Sequence, residues 1–377
     1  MDLTRRDFLR RSAAAAGYLA LPSIIAACGR EPEPVTQPTT IDTGNIRGSR
    51  IKVSTYGGFF EENFRKMYPA FTEETGVEVE SVAEPTSEVW VTQLQQSVQA
   101  GTEPPSDVSM LSGVGIQRAI NGEIFAPIDL SAVPNAKFLA EGFVREAEDG
   151  RVAGIGAVSW FITIVSNTER VAESPDTWTA FWDAEWENEL ALLKNAGNSF
   201  LLEITAASFF DGLEILQTQD GILEVMTKLQ EVKPNVKLWF RDEAQAQQAY
   251  NTGEVSLGQF YHDITTYAAS QGEPLRSVFP TEGAILDSGF WHISGNSENV
   301  AACHAFIDYM CQPEIQSELA TTLGTSPVLT RENLDLTDED YEAVSGPGPE
   351  AALRPEYEIY DKWEDWIDQN WSEMIVS

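Results

Sequence analysis

The residues of this chain best suited to chemistry are aromatic rings spaced close to carboxylates. The stretch GQFYHD places Tyr261 two residues before Asp263, and LDSGFWHI places Asp287 four residues before Trp291. An aromatic face attracts a cation, and a carboxylate offers it a charge-assisted hydrogen bond. Such sets suit the ammonium group of a small organic ligand, although Asp263 is equally placed to cap the helix after it. His262 points away from its two neighbours if the segment is extended, and is read as structural. Reaction chemistry is poorly represented. The chain has no GxSxG elbow, no GxGxxG after a strand, no CxxC and no HExxH, and it has three histidines in all. No catalytic residue, metal ligand or cofactor is expected. Paired acids are abundant, but in so acidic a chain they carry little information. A hydrolase with a carboxylate pair in a cleft stays open as an alternative.

These residues must be positioned by repeating strand–helix units. Residues 51–55 read as a strand ending at Tyr56, and Gly57-Gly58 as a tight turn into a helix. Phe60, Phe64, Met67 and Phe71 recur at helical spacing and predict a buried helix face, which Pro69 kinks or restarts. Gly76 is placed as the C-terminal cap, residues 77–82 as the next strand, residues 87–100 as a helix, and PSDVSML as a further strand. Such alternation implies an α/β fold with a mainly parallel sheet, whose ligands sit beyond the carboxyl ends of its strands. Near the C-terminus, Tyr360, Trp363, Trp366 and Trp371 have the spacing of an amphipathic helix that packs back on a lobe.

The net charge is −35, from 59 acidic and 24 basic residues. That excludes a basic footprint for nucleic acid. Two causes suit it: attraction of a cationic ligand, or the acid-rich, lysine-poor surface typical of salt-adapted proteins, in which long-range steering is screened. Cys303 and Cys311 lie eight residues apart in a helix-like segment, about 12 Å along the axis, too far for a disulfide. They are read as buried apolar residues.

The N-terminus reads as an address. Arg5-Arg6 precede an apolar stretch, residues 13–27, shorter than the ~20 residues of a membrane-spanning helix. The basic head resembles a twin-arginine export signal, and Ile25-Ala26-Ala27-Cys28 resembles a lipoprotein box with lipidation at Cys28. Residues 29–49, rich in Pro, Thr and Gly, read as a flexible tether. The expected location is outside the cytoplasm, periplasmic or at the cell surface, held to the membrane by lipid.

An ordered series of segments carries a family resemblance: VSTYGGFFEENFRKMYPAFTEETGVEVE, PSDVSMLSGVGIQRAINGEIFAPIDL, GIGAVSWFITIVSNTERV, SPDTWTAFWDAEWENELAL, AYNTGEVSLGQFYHD and EGAILDSGFWHISGNSENVAACHAFIDYMCQPEIQSELATTLGTSP. Together they resemble an extracytoplasmic solute-binding protein of an ABC importer, most closely the spermidine/putrescine-binding branch. The resemblance implies a two-lobed, type II periplasmic-binding-protein-like α/β fold with a ligand cleft between the lobes. It also implies a monomer delivering a small polar solute to permease and ATPase subunits, with a ligand-sensing lipoprotein as the alternative partner arrangement. The implied division is residues 50–160 for the first lobe, 161–283 for the second, 284–333 for the return to the first, and 334–377 for a helical segment packed on the second. Residue by residue, the resemblance places Tyr56, Ser112 and Tyr261 in the cleft, and Trp160 as either hinge core or cleft wall. Asp287 falls where the branch has an aromatic, Gly289 falls where it has an acid, and Trp291 follows on the same strand. In LLKNAGNSF, where the branch carries acids, this chain offers Lys194, Asn195, Asn198 and Ser199. Asn195 and Asn198 are expected to meet polar ligand groups, while Lys194 or Arg241 suits a carboxylate.

Overall fold

The computed structural model describes residues 46–375 other than residue 86. The expected export signal, the expected lipidation site Cys28 and nearly all of the expected tether lie outside the described residues. One mixed sheet of ten strands organises the chain, in the order β2-β1-β3-β10-β5-β8-β6-β7 with β4 and β9 also paired to β5. In the first lobe β1 (Arg50–Tyr56), β2 (Glu78–Glu84) and β3 (Val108–Ser112) run parallel. In the second, β6 (Leu190–Leu193), β7 (Val236–Phe240) and β8 (Leu257–Tyr261) do the same. The long strand β5 (Val152–Asn167) joins them. Its first half pairs with β4 (Val144–Glu146), its middle with β10 (Ile285–Ile293), and its last residues with β8 and β9 (Leu275–Val278). The molecule is thus α/β and two-lobed, with strands crossing between lobes.

Local chemistry explains the elements. Pro69 stands in the first turn of the helix Tyr68–Thr75, so the expected single helix is two, Phe59–Phe64 and Tyr68–Thr75, because proline lacks the N–H that a helix interior requires. Gly76 closes the second with φ 74°, a left-handed conformation that costs glycine little. Phe64, Met67 and Phe71 are buried on one face of the first-lobe sheet with Trp291 and Phe306. Trp90, Leu94, Leu111, Ile116 and Phe290 fill the other face. The second lobe is likewise sandwiched, with Trp178, Phe181 and Leu202 on one side and Phe240, Tyr250 and Phe260 on the other. Cys303 and Cys311 are buried and unbridged. No helix among the described residues is long and apolar enough to cross a membrane.

The C-terminal helices Tyr357–Lys362 and Glu364–Met374 bury Tyr360, Ile367 and Trp371 in the second-lobe core. They also reach the first lobe, where Glu364 pairs with Arg118 and Asp361 accepts from Asn121 on the helix Gly113–Asn121. The ring of Tyr357 lies against Gly113 of that helix, where a Cβ would sit 2.1 Å from it, so only glycine admits that approach.

Candidate ligand-binding cleft

The carboxyl ends of β1 and β8 bring two tyrosines together. Tyr56 ends β1, and the turn after it, with Gly58 at φ 66°, lets the chain fold back so that Phe60 meets its ring. Tyr56, Phe60 and Trp160 form an edge-to-face triad, with ring centroids 5.7, 6.0 and 6.4 Å apart. Trp160 lies mid-way along β5, in register with Asp287 of β10. The Tyr56 hydroxyl is enclosed and has no hydrogen-bond partner. Burial raises its pKa well above the ordinary phenol value, and Glu84, Asp287 and Tyr261 raise it further.

Tyr261 comes from the other lobe. It ends β8 and donates to Glu243, the first residue of the helix Glu243–Asn251. Its phenol is also raised, first by burial and then by the carboxylates of Glu243, Asp287 and Asp263. Asp287 acts on both tyrosines. It accepts from the Tyr357 hydroxyl at 2.7 Å, from the Ser288 amide at 2.8 Å and from the Trp160 indole, and burial pushes its pKa up to about 6 despite those donors. Glu84, the register partner of Tyr56, is 7% exposed. Its Oε1 accepts from Ser54 Oγ at 2.7 Å and its carboxylate from the Met110 amide, Oε2 has no partner, and burial pushes its pKa up to about 8. Each charged group that acts on either tyrosine is an acid.

The other expected residues divide. Ser112 stands at the end of β3, opposite Gly289 of β10, and accepts from the Gly115 amide at 3.2 Å as a helix cap. Asp263 lies in the first turn of the helix His262–Ser270, which has Tyr261 as its N-cap residue. His262 is buried and bonded to Ser277 Oγ and the Ala343 carbonyl at 2.8 and 2.9 Å. Asn195 and Asn198 are exposed at the carboxyl end of β6, where Trp371 Nε1 donates to the Lys194 carbonyl and Gly197 backs on Tyr360. Neither Asn195 nor Asn198, nor Lys194 or Arg241, is among the groups acting on the tyrosines.

Trp291 requires correction. It is fully buried in the first-lobe core, edge-on to Phe64 and Phe306 at 5.5 and 5.3 Å. Because β10 runs antiparallel to β3, with Gly289 opposite Ser112 and Ile293 opposite Val108, its first residues lie toward the carboxyl end of β3 and its last descend into the lobe, which separates Asp287 from Trp291. Sequence reasoning missed Glu84, Glu243 and Tyr357, and treated Phe60 only as core. The one available signal was positional: Glu84 ends the strand after Tyr56's strand, as two parallel neighbours of equal length would place it.

Comparisons with known proteins agree with this architecture. A sequence model of the bacterial extracellular solute-binding protein family matches residues 66–344. The gamma-aminobutyric acid-binding protein of Pseudomonas aeruginosa is 26% identical over 182 residues, 46% of this chain and 50% of that protein. The spermidine/putrescine-binding periplasmic protein 1 of Haemophilus influenzae is 26% identical over 261 residues, 67% of this chain and 69% of that one. The chain thus spans about half the length of the first relative and about two thirds of the second. Among solved structures, an ABC transporter substrate-binding protein from Bradyrhizobium japonicum superposes with a TM-score of 0.73 at 17% identity, covering 87% of this chain and 99% of that one. A spermidine/putrescine ABC transporter substrate-binding protein from Streptococcus pneumoniae superposes at 0.66 and 21% identity, covering 86% and 99%.

Proposed function

We propose that this chain, which belongs to the bacterial extracellular solute-binding protein family, captures a small organic cation between its lobes and hands it to an ABC importer. The observation that carries the ligand class is the setting of Tyr56 and Tyr261. Two enclosed phenols from opposite lobes lie within electrostatic reach of each other, and the charged groups acting on them are Glu84, Asp287, Glu243 and Asp263. Burying carboxylates costs several kcal/mol each unless a positive charge is supplied, and aromatic faces favour cations, so the site is complementary to an ammonium group. Both named relatives bind amines by their names, a polyamine in one and gamma-aminobutyric acid in the other. A polyamine suits this cleft better, because an amino acid's carboxylate would face acids. The acids absent from residues 194–199 are supplied by other elements.

Capture proceeds by closure of the lobes about the strands that cross near Trp160 and Asp287. A ligand touching both lobes favours the closed form, since only differential affinity shifts such an equilibrium. The chain acts as a binding protein rather than an enzyme, exported through its twin-arginine signal, anchored by lipid at Cys28 and tethered by residues 29–49. Its acid-rich surface suits a saline exterior. A thermal-shift screen at low and molar salt with putrescine, spermidine, gamma-aminobutyric acid and citrate tests the reading. A rise in melting temperature with the amines supports it. A rise with citrate alone sinks it, as does wild-type affinity in both Tyr56→Ala and Tyr261→Ala.

A further inference from the structure

We propose that Glu84 is the first-lobe anion that receives a cationic end of the ligand: its buried Oε2 has no partner, and its register neighbour Tyr56 has an equally unpartnered hydroxyl. This rests on the capture of a cation proposed above and names a residue that decides its specificity.

The geometry is that of a held but half-used carboxylate. Glu84 ends β2 opposite Tyr56 and reaches across β1, where Ser54 Oγ donates to Oε1 at 2.7 Å, and on to the Met110 amide of β3. Ser54 is itself fixed within 3.3 Å of Ser106 Oγ, which lies 2.7 Å from Ser109 Oγ, the acceptor of the Trp90 indole N–H at 3.1 Å. A polar chain from Trp90 to Glu84 therefore locks the carboxylate in place from within the lobe and leaves one oxygen over. A purely structural carboxylate would use both oxygens, because an unpaired buried acceptor carries its full desolvation penalty. The ionisable groups nearest this end of the cleft are Tyr56 of β1, Asp287 of β10 and Tyr261 of β8. None of them brings a positive charge, and Tyr56 has an unused hydroxyl to add to the same ligand group. A cation lying between Glu84 and the Asp287–Glu243 side would touch both lobes at once. Burial and the absence of a counter-charge leave Glu84 holding its proton near neutrality, with its pKa at about 8, so an arriving ammonium must displace that proton.

The test is calorimetry with putrescine at pH 7 on the full chain, repeated in buffers of differing ionisation enthalpy. Wild type is expected to release on the order of one proton per ligand, as a residue with a raised pKa is drawn into its charged form. Glu84→Gln keeps an acceptor for Ser54 and the Met110 amide, so it is expected to fold. It should bind putrescine about tenfold to a hundredfold more weakly, in line with the loss of a buried charge partner. It should also lose the buffer-dependent heat, and Glu84→Asp should restore part of both. Equal affinity and equal proton release in wild type and Glu84→Gln would overturn the assignment while leaving cation capture intact. Absence of buffer-dependent heat in wild type would overturn it even if the variant failed to fold. A wild type that binds neither putrescine nor gamma-aminobutyric acid would overturn both readings together.

Discussion

Two buried carboxylates accept a tyrosine hydroxyl from the same C-terminal segment at the same 2.7 Å but stand in different surroundings: Glu203 from Tyr360, and Asp287 from Tyr357. Glu203 is fully buried in the helix Leu201–Phe209, and its second oxygen accepts from the Glu356 amide at 3.1 Å. Its environment is closed, and it fastens the segment to the second lobe. Asp287 instead lies within the electrostatic reach of Tyr56 and Tyr261, at the seam of both lobes. The contrast teaches that a buried acid is not by itself a binding residue. What separates the two is that Glu203 has both oxygens used within one lobe, whereas Asp287 acts on tyrosines of both lobes, one of which, Tyr56, has an unpartnered hydroxyl.

Removing the docking carboxylate should have the largest effect. Glu203→Ala strands the Tyr360 hydroxyl and the Glu356 amide and opens a cavity, and is expected to lower unfolding free energy by about 3 kcal/mol in urea titrations. If the loss is below about 1 kcal/mol, the docking role is wrong. Gly113→Ala forces a methyl into the Tyr357 ring and should cost about 2 kcal/mol while disturbing amine affinity through Asp287, because overpacking shifts the ring that orients it. Asp287→Asn is expected to do the converse. Stability should change little, while putrescine affinity falls about tenfold, measured by calorimetry. A variant with unchanged affinity would place Asp287 beside Glu203 as a structural group.

The pH dependence sharpens the same comparison, with opposite signs for folding and binding. The carboxyl pKa values rise to about 7 for Glu203, about 6 for Asp287 and about 8 for Glu84, against about 4 in an unfolded chain. Between roughly pH 4 and 8 the folded chain therefore holds more protons than the unfolded one, and these groups' contribution to stability falls as pH rises. Amine affinity should climb over the upper part of that range as Asp287 and Glu84 ionise. Urea midpoints and calorimetric affinities at pH 5, 6.5 and 8 check both slopes, and Glu203→Gln should flatten the first without touching the second. The smallest effect is expected at the tie to the first lobe. Glu364 is 45% exposed, so Glu364→Gln should cost less than about 1 kcal/mol despite its pairing with Arg118.

Much of the scaffold was legible because it is written in local rules. Gly76, Pro69 and the alternating residues before Glu84 act on their own backbone neighbourhood, so a strand, a cap and a helix restart could be read directly. Tyr56 and Tyr261 were legible as strand ends. Trp291 was misplaced because an aromatic four residues beyond Asp287 looks like a neighbour until the antiparallel direction of β10 carries it into the core. Glu84 and Glu243 were invisible among 59 acids, since composition cannot tell a solvated carboxylate from an enclosed one.

By itself, then, the sequence determined the alternation of strands and helices and where strands such as the one before Gly57 end, because periodicity, turns and caps act over a few residues, while the two-lobed fold was legible through the resemblance of an ordered series of segments to a known family. Only the tertiary structure decided which acids face which tyrosines. That choice depends on strand order and register, on Tyr56 lying beside Glu84 and Asp287 beside Trp160, and on a C-terminal tyrosine returning from 70 residues away to meet Asp287. Burial and pKa follow from those long-range placements, and they are set by the space around a side chain rather than by its neighbours along the chain.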